Sequence, residues 1–343
     1  MTKKVLITGG AGFIGINAAS YYLKKGYEVL ILDNFSRKGS NANINWLKEN
    51  NPERLQVITA EIRSDQKKIN EIIKNVDIVL HLAAQVAVTD SVIDPRKDFE
   101  INSLGTFNLL EAVRNSGNNP VFIYSSTNKV YGELKDLKIL EQKTRYSFGD
   151  GREGISEERG LDFHSPYGCS KGTADQYVRD YNRIYGLNTI VFRQSCIYGP
   201  RQFGMEDQGW VAWFIIALTN NKNITIYGDG KQVRDLLYIE DLIKAYDLAA
   251  ENINKTKGQI YNIGGGPKNT ISVWLEFKPI LEKLFNRKID ATFSEWRSGD
   301  QQIFVSDIKK AKIDFGWEPR ISVENGIQSL YEWVSENKHI FNF

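Results

Sequence analysis

Little in this chain can hold a metal or a cross-link. Two cysteines, Cys169 and Cys196, in 343 residues make no disulfide framework, and a reducing compartment, the cytoplasm, is the expected home. The three histidines, His81, His164 and His339, stand far apart, and neither HExxH nor CxxC occurs, so no protein-ligated metal is expected. Charge of one sign is also lacking. The 44 basic residues face 42 acidic ones for a formal net charge of +2, with no cluster of Lys and Arg, which argues against a nucleic-acid partner. Long apolar runs are missing as well: a stretch such as Val76–Ala84 falls far short of the ~20 residues that span a bilayer, so no membrane association is expected. The first predicted strand begins at Lys4 and leaves no room for a secretory signal.

What is present is a regular alternation. Apolar runs at Val5–Thr8, Glu28–Asp33, Leu55–Ile58, Val76–Leu80, Val121–Tyr124 and Thr189–Phe192 are continuous, as strands covered on both faces require. Amphipathic stretches such as Ile14–Lys25 and Phe99–Ser116 lie between them. Strand, helix, strand in this rhythm predicts an α/β fold with a doubly wound parallel sheet of Rossmann type. The second half is less regular, with helices predicted at Gly209–Asn220, Tyr238–Glu251 and Ser272–Phe285 and a strand at Ile260–Ile263 that returns to the main sheet. The expected division is a dinucleotide-binding domain from 1–195 plus about 236–265, and a smaller C-terminal substrate lobe from about 196–235 plus 266–343. Residues 134–164 form a long polar insertion, expected as a lid or subunit contact rather than a separate domain.

The segment Thr8-Gly-Gly-Ala-Gly-Phe-Ile-Gly15 follows the first strand and opens the first helix. Gly9, Gly12 and Gly15 permit a tight turn, close approach of a pyrophosphate and close helix–strand packing. The helix start at Phe13 and Ile14 then offers free N–H groups to the phosphates. Asp33 ends the second strand, eighteen positions beyond Gly15, where a carboxylate accepts from ribose hydroxyls and repels a 2′-phosphate. NAD is therefore expected over NADP; Arg37 and Lys38 nearby are of a type to meet a 2′-phosphate and equally to edge the adenine.

Tyr167-Gly-Cys-Ser-Lys171 puts a phenol and an ammonium on one helix face. A tyrosine with an unperturbed pKa of ~10 needs nearby positive charge to act as a base near neutrality, and Lys171 with the nicotinamide is expected to supply it. Thr127, at the carboxyl end of the strand that starts at Val121, supplies a hydroxyl to share the reacting proton.

With TGGAGFIG at 8–15, HLAAQ at 81–85, YSSTNKVYG at 124–132, YGCSK at 167–171 and RDLLYIEDL at 234–242, the chain resembles the extended short-chain dehydrogenase/reductase family over nearly its whole length. The resemblance implies Tyr167 as acid/base, Lys171 as its activator and nicotinamide-ribose contact, and Thr127 as hydroxyl partner. It extends the expected cofactor contacts to Asn34, Ser36, Arg37, Glu61, Ile62, Leu82, Ala83, Ala84, Gln85 and Ser125. Glu61 departs from the Asp that relatives usually place against the adenine.

Dehydratases of this family carry Thr-Asp-Glu where this chain has Thr127-Asn128-Lys129, so elimination is disfavoured and epimerisation with a retained NAD fits best. The runs Leu161–Lys171, Arg201–Phe203 and Asp207–Val211 resemble family members that epimerise a CDP-linked hexose at C2, and imply a role in O-antigen sugar synthesis. Alternatives are a UDP-sugar 4-epimerase, then a 4,6-dehydratase or a non-catalytic dinucleotide-binding module. The nucleotide diphosphate calls for cations, Arg234 and Arg297 first and Arg201 after them. Asn128, Lys129, His164, Gln208 and Tyr227 complete the expected sugar-nucleotide contacts. The helical stretches 99–116 and 167–185 pair across subunits in the family, which implies a homodimer or higher homo-oligomer.

Overall fold

The computed structural model describes residues 2–50, 53–297 and 299–341. Its centre is a seven-stranded sheet built from β1 (Lys4–Thr8), β2 (Glu28–Asp33), β3 (Leu55–Thr59), β4 (Ile78–His81), β5 (Val121–Thr127), β8 (Thr189–Gln194) and β12 (Ile260–Ile263). Between β5 and β8 lies a hairpin of β6 (Ile139–Glu141) and β7 (Tyr146–Phe148). The sheet order is β3-β2-β1-β4-β5-β8-β12, every pair parallel. The strands are apolar throughout because both faces are covered. Val5 and Ile7 enter one core with the helix Phe13–Lys24, while Leu6 between them enters the other with Leu109, Leu110 and Val178.

The remaining strands lie at the carboxyl side of the chain. β9 (Cys196–Tyr198) and β11 (Val233–Tyr238) pair in parallel, and β11 also pairs with β13 (Thr270–Ser272) and β15 (Ile303–Phe304). β10 (Thr225–Tyr227) pairs with β14 (Thr292–Ser294). The helix expected from Ser272 begins only at Phe277. Pairing of β13 with β11 holds Ser272 extended. Ser272 and Glu276 then exchange side-chain and backbone hydrogen bonds of 2.8 and 2.9 Å, which turn the chain into the helix.

The helical stretch 99–116 is interrupted by a π-helical turn at Glu100–Leu104 before the helix Gly105–Asn115. A Cβ at Gly105 would stand 2.5 Å from Ile62 Cδ1, so the helix can pack this closely on the sheet edge only without a side chain there. The insertion at 134–164 is tied to the chain's own C-terminal part. Arg145 grips Glu276 with bonds of 2.7 and 2.5 Å, the Tyr146 hydroxyl donates to Asp229 at 2.6 Å, and Ile155 bridges to Ser306. Among the described residues, no helix is long and apolar enough to cross a membrane.

Candidate active site

A cavity of about 370 Å³ opens at the carboxyl ends of the strands, where the strand order reverses between β1 and β4. Its floor is the glycine turn. Gly9 has φ +69°, and a Cβ there would lie 2.7 Å from the Ala83 nitrogen; one on Gly15 would lie 2.5 Å from Gly10 Cα and the Gly9 oxygen. The helix Phe13–Lys24 starts at Gly12 without a side-chain cap, which leaves its first N–H groups to a ligand. Asp33 is held at the rim by the N–H groups of Phe35 at 2.8 Å and Ala11 at 2.9 Å. Burial raises its pKa, and these bonds oppose the rise. Turn, helix start and carboxylate together fit a dinucleotide without a 2′-phosphate.

Most of the expected cofactor residues line this cavity: Gly9, Gly12, Phe13, Ile14, Gly15, Asp33, Asn34, Ser36, Arg37, Glu61, Ile62, Leu82, Ala83 and Ala84. Glu61 is engaged by Arg63 and by Asn34, each at 3.0 Å, so its longer side chain is tied into the cavity wall. Gln85 does not line the cavity. Its side chain donates to the Ala87 carbonyl at 2.7 Å, and its backbone is held by Asn102 of the π turn.

Arg201 and Gln208, expected against the substrate, line this same cavity. The Arg201 guanidinium lies over the Trp46 ring at 4.0 Å, and Gln208 accepts a bond from Arg37. The stretch Gln202–Met205 closes the same wall. Nothing in its sequence marks it for this task; tertiary folding brings it there from more than 160 positions beyond Asp33.

The second half of the site sits on the helix Ser165–Tyr185, with His164 as its N-cap residue and Pro166 in its first turn. The half-buried phenol of Tyr167, on this helix, and the Thr127 hydroxyl, at the end of β5, lie close enough for the hydroxyl to lower the phenol's pKa. Burial pushes this phenol up to about 12, the Thr127 bond lowers it, Asp98 raises it and Arg37 lowers it. Lys171 was expected to pull the phenol down. Instead its ammonium donates to the Ser125 carbonyl at 2.5 Å and stands 4.3 Å over the Tyr124 ring. Burial lowers Lys171 to about 7, against the opposing charges of Asp98 and Asp175.

A polar network missed in the sequence holds this helix. Ser170 donates to Asp98 at 2.5 Å, and Asn102 reaches Asp98, Ser170 and the Gln85 carbonyl, all at 3.1 Å. His81 is a satisfied core residue between the hydroxyls of Thr8 and Thr106 at 2.8 Å each. Burial lowers it to about 3, so it is neutral.

The expected substrate residues fall into two groups. Asn128 donates to Gln301 at 3.3 Å, Lys129 donates to the Gly299 carbonyl at 3.1 Å, and Arg234 donates to Asp300 at 2.6 Å, all within one cluster beside Thr127. His164 contacts Glu133 at 2.9 Å at its edge. Arg297 and Tyr227 form the other group: the guanidinium lies 3.9 Å from the ring and pairs with Asp207 at 2.9 Å. The Tyr227 hydroxyl donates to Glu206 at 3.0 Å. Both arginines therefore have protein partners in this structure, which hold their planar heads in place. Trp210 packs against Phe277 and Phe214, at 5.3 and 5.8 Å between ring centres, as a core residue.

A dinucleotide cradle meeting a tyrosine–threonine pair and a buried lysine at one sheet edge defines an enzyme of the extended short-chain dehydrogenase/reductase class. Within it, the chain belongs to the family described as GDP-mannose 4,6 dehydratase, whose profile matches residues 6–330. CDP-paratose 2-epimerase of Salmonella typhi is 48% identical over 338 residues, covering 97% of this chain and 99% of that protein. Among solved structures, UDP-glucose 4-epimerase of Thermotoga maritima with UDP-glucose superposes with a TM-score of 0.83 at 31% identity, over 98% of this chain and 99% of that one. UDP-glucuronic acid 4-epimerase of Bacillus cereus, in complex with UDP-glucuronic acid and NAD, gives a TM-score of 0.83 at 29% identity, over 97% and 99%.

Proposed function

We propose that this protein inverts C2 of a CDP-linked dideoxyhexose, converting CDP-paratose to CDP-tyvelose, with NAD as a retained cofactor. The observation that carries this is the 48% identity to CDP-paratose 2-epimerase along 97% of the chain. NAD, when bound in the cradle, supplies reversible two-electron redox chemistry at the sugar carbon. The chain's residues do the rest. Tyr167 takes and returns the hydroxyl proton, Thr127 fixes the reacting oxygen, and Lys171, bonded to the Ser125 carbonyl, ties the helix face that carries the phenol to β5. Arg234 and Arg297 are the cations for the diphosphate. The triplet Thr127-Asn128-Lys129 offers no carboxylate for eliminating water, which favours epimerisation over dehydration.

The test is proton NMR of CDP-paratose and, separately, UDP-glucose incubated with the protein in deuterated water. Inversion at C2 of the CDP sugar without deuterium uptake is expected, because hydrogen leaves and returns within one site. Inversion of the UDP sugar at C4 alone would overturn the substrate and leave the Tyr167 chemistry standing.

A homodimer belongs to the same proposal. Phe99, Phe107, Tyr177 and Ile184 are 39–66% exposed on neighbouring helices, and Phe107 meets Tyr177 edge-on at 5.9 Å. Such an apolar patch is supported as a contact between copies. The wild type is expected to sediment at twice the 39.1 kDa chain mass, and the variant Phe107→Glu/Ile184→Glu at the chain mass. An unchanged dimer in that variant would move the interface elsewhere.

A further inference from the structure

Lys129 links the end of β5 to the turn that holds Arg234. Its backbone N–H donates to the Thr127 hydroxyl at 3.3 Å, so the residue starts at the reacting oxygen's partner. Its side chain then runs toward the turn at Gly299 and Asp300, where Arg234 is anchored. The residue thus spans from the Thr127 hydroxyl to the carboxylate that anchors Arg234.

The cluster is short of negative charge. Asp300 carries the Arg234 guanidinium at 2.6 Å and the Lys129 ammonium at 3.7 Å on the same oxygen. One carboxylate thus serves two cations, both largely covered, with side-chain exposures of 9% and 23%. Of the three N–H groups on Lys129, one meets the Gly299 carbonyl and one faces Asp300; the third has no acceptor among the described residues. A covered cation with a spare donor gains from an oxygen supplied by the ligand.

We propose that Lys129 retains the keto sugar while its ring turns over, its spare N–H donating to whichever ring oxygen faces it in either orientation. This rests on the epimerase function proposed above. An ammonium suits the task because its three donors rotate freely on a flexible stem, and so satisfy acceptors from both faces of the sugar. A carboxylate at this position cannot donate at all when ionised. The turn that receives Lys129 is itself fixed: Gly299 has φ +74°, and a Cβ there would meet the His164 ring at 2.7 Å.

The experiment uses the NAD-loaded protein and its Lys129→Met and Lys129→Arg variants. The wild type is first assayed with CDP-paratose and with UDP-glucose, and the variants receive whichever sugar it inverts. Reduced NAD is followed at 340 nm, and the sugars are identified by NMR. Oxidation in Lys129→Met is expected to proceed, but free ketone escapes and an equal amount of reduced NAD accumulates. The escape per turnover is expected to rise about 10- to 100-fold, as for loss of one charged hydrogen bond, with Lys129→Arg falling between. Wild-type partition in Lys129→Met would overturn the proposal and leave Lys129 as a tie for the turn. Failure of Lys129→Met even to reduce its NAD, with NAD content intact, would also overturn it by placing Lys129 in the oxidation step. A wild type that inverts only the UDP sugar would overturn the substrate, and the Lys129 result would then be read on that sugar.

Discussion

Replacing Tyr167 with phenylalanine is expected to lower kcat by about 10²- to 10⁴-fold, the usual worth of a positioned general acid/base. NAD content and the melting temperature are expected to stay near the wild type, because the ring still fills its half-buried place and only the hydroxyl near Thr127 is lost. The pH dependence gives a second mark. Burial holds the phenol up to about 12, so the reactive phenolate is a small fraction near neutrality and grows with pH. The wild-type oxidation rate in a single turnover should therefore climb through the neutral and mildly alkaline range, and Tyr167→Phe should lose that slope. Full turnover in the variant would remove Tyr167 from the chemistry.

The elevated phenol marks the point at which local sequence stopped being informative. Tyr167 and Lys171 do share one helix, as their spacing implies, but spacing does not say where an ammonium points. The Ser125 carbonyl, delivered by β5, draws Lys171 at 2.5 Å. Burial lowers its pKa, and Asp98 from another helix and Asp175 one turn along its own oppose that shift. A pKa is fixed by burial and by neighbours from several elements, and here the burial and Asp98, 73 positions before Lys171, come from parts of the chain that helix spacing does not report.

The glycine turn was legible because one short segment contains the whole device: strand end, turn and helix start all lie within 4–24. The strands of the main sheet were legible for a related reason, since residues buried on both faces must be apolar one after another. The wall formed by Gln202–Met205 and Gln208 had no such local mark. Its loop lines the cavity only because β9 pairs with β11 and carries the chain back over the sheet edge. Arg234 gave half of its signal. Its residue type called for a phosphate, whereas its partner Asp300 comes from a turn 66 positions away. The late helix start at Phe277 was hidden in the same way, because Thr270–Ser272 is extended only by pairing with β11.

The largest effect on stability is expected from Asp175→Asn. Asp175 is fully buried on the catalytic helix and grips Arg193 of β8, itself 2% exposed, through two bonds of 2.9 and 3.0 Å. Ser126 donates to the same carboxylate at 2.8 Å, and Arg193 reaches the Tyr131 hydroxyl at 3.1 Å. An amide at 175 would leave the guanidinium without its counter-charge in the core, which costs about 3–5 kcal/mol when one partner of a buried pair is lost. Urea unfolding should register that loss in full. The double variant Asp175→Asn/Arg193→Met should recover part of it, because the stranded charge goes too. Catalysis is expected to fall alongside, since Ser126 neighbours Thr127 and loosening it shifts the hydroxyl that meets Tyr167. If Asp175→Asn unfolded within about 0.5 kcal/mol of the wild type, as a surface change does, the pair would not be what fixes the catalytic helix to the sheet.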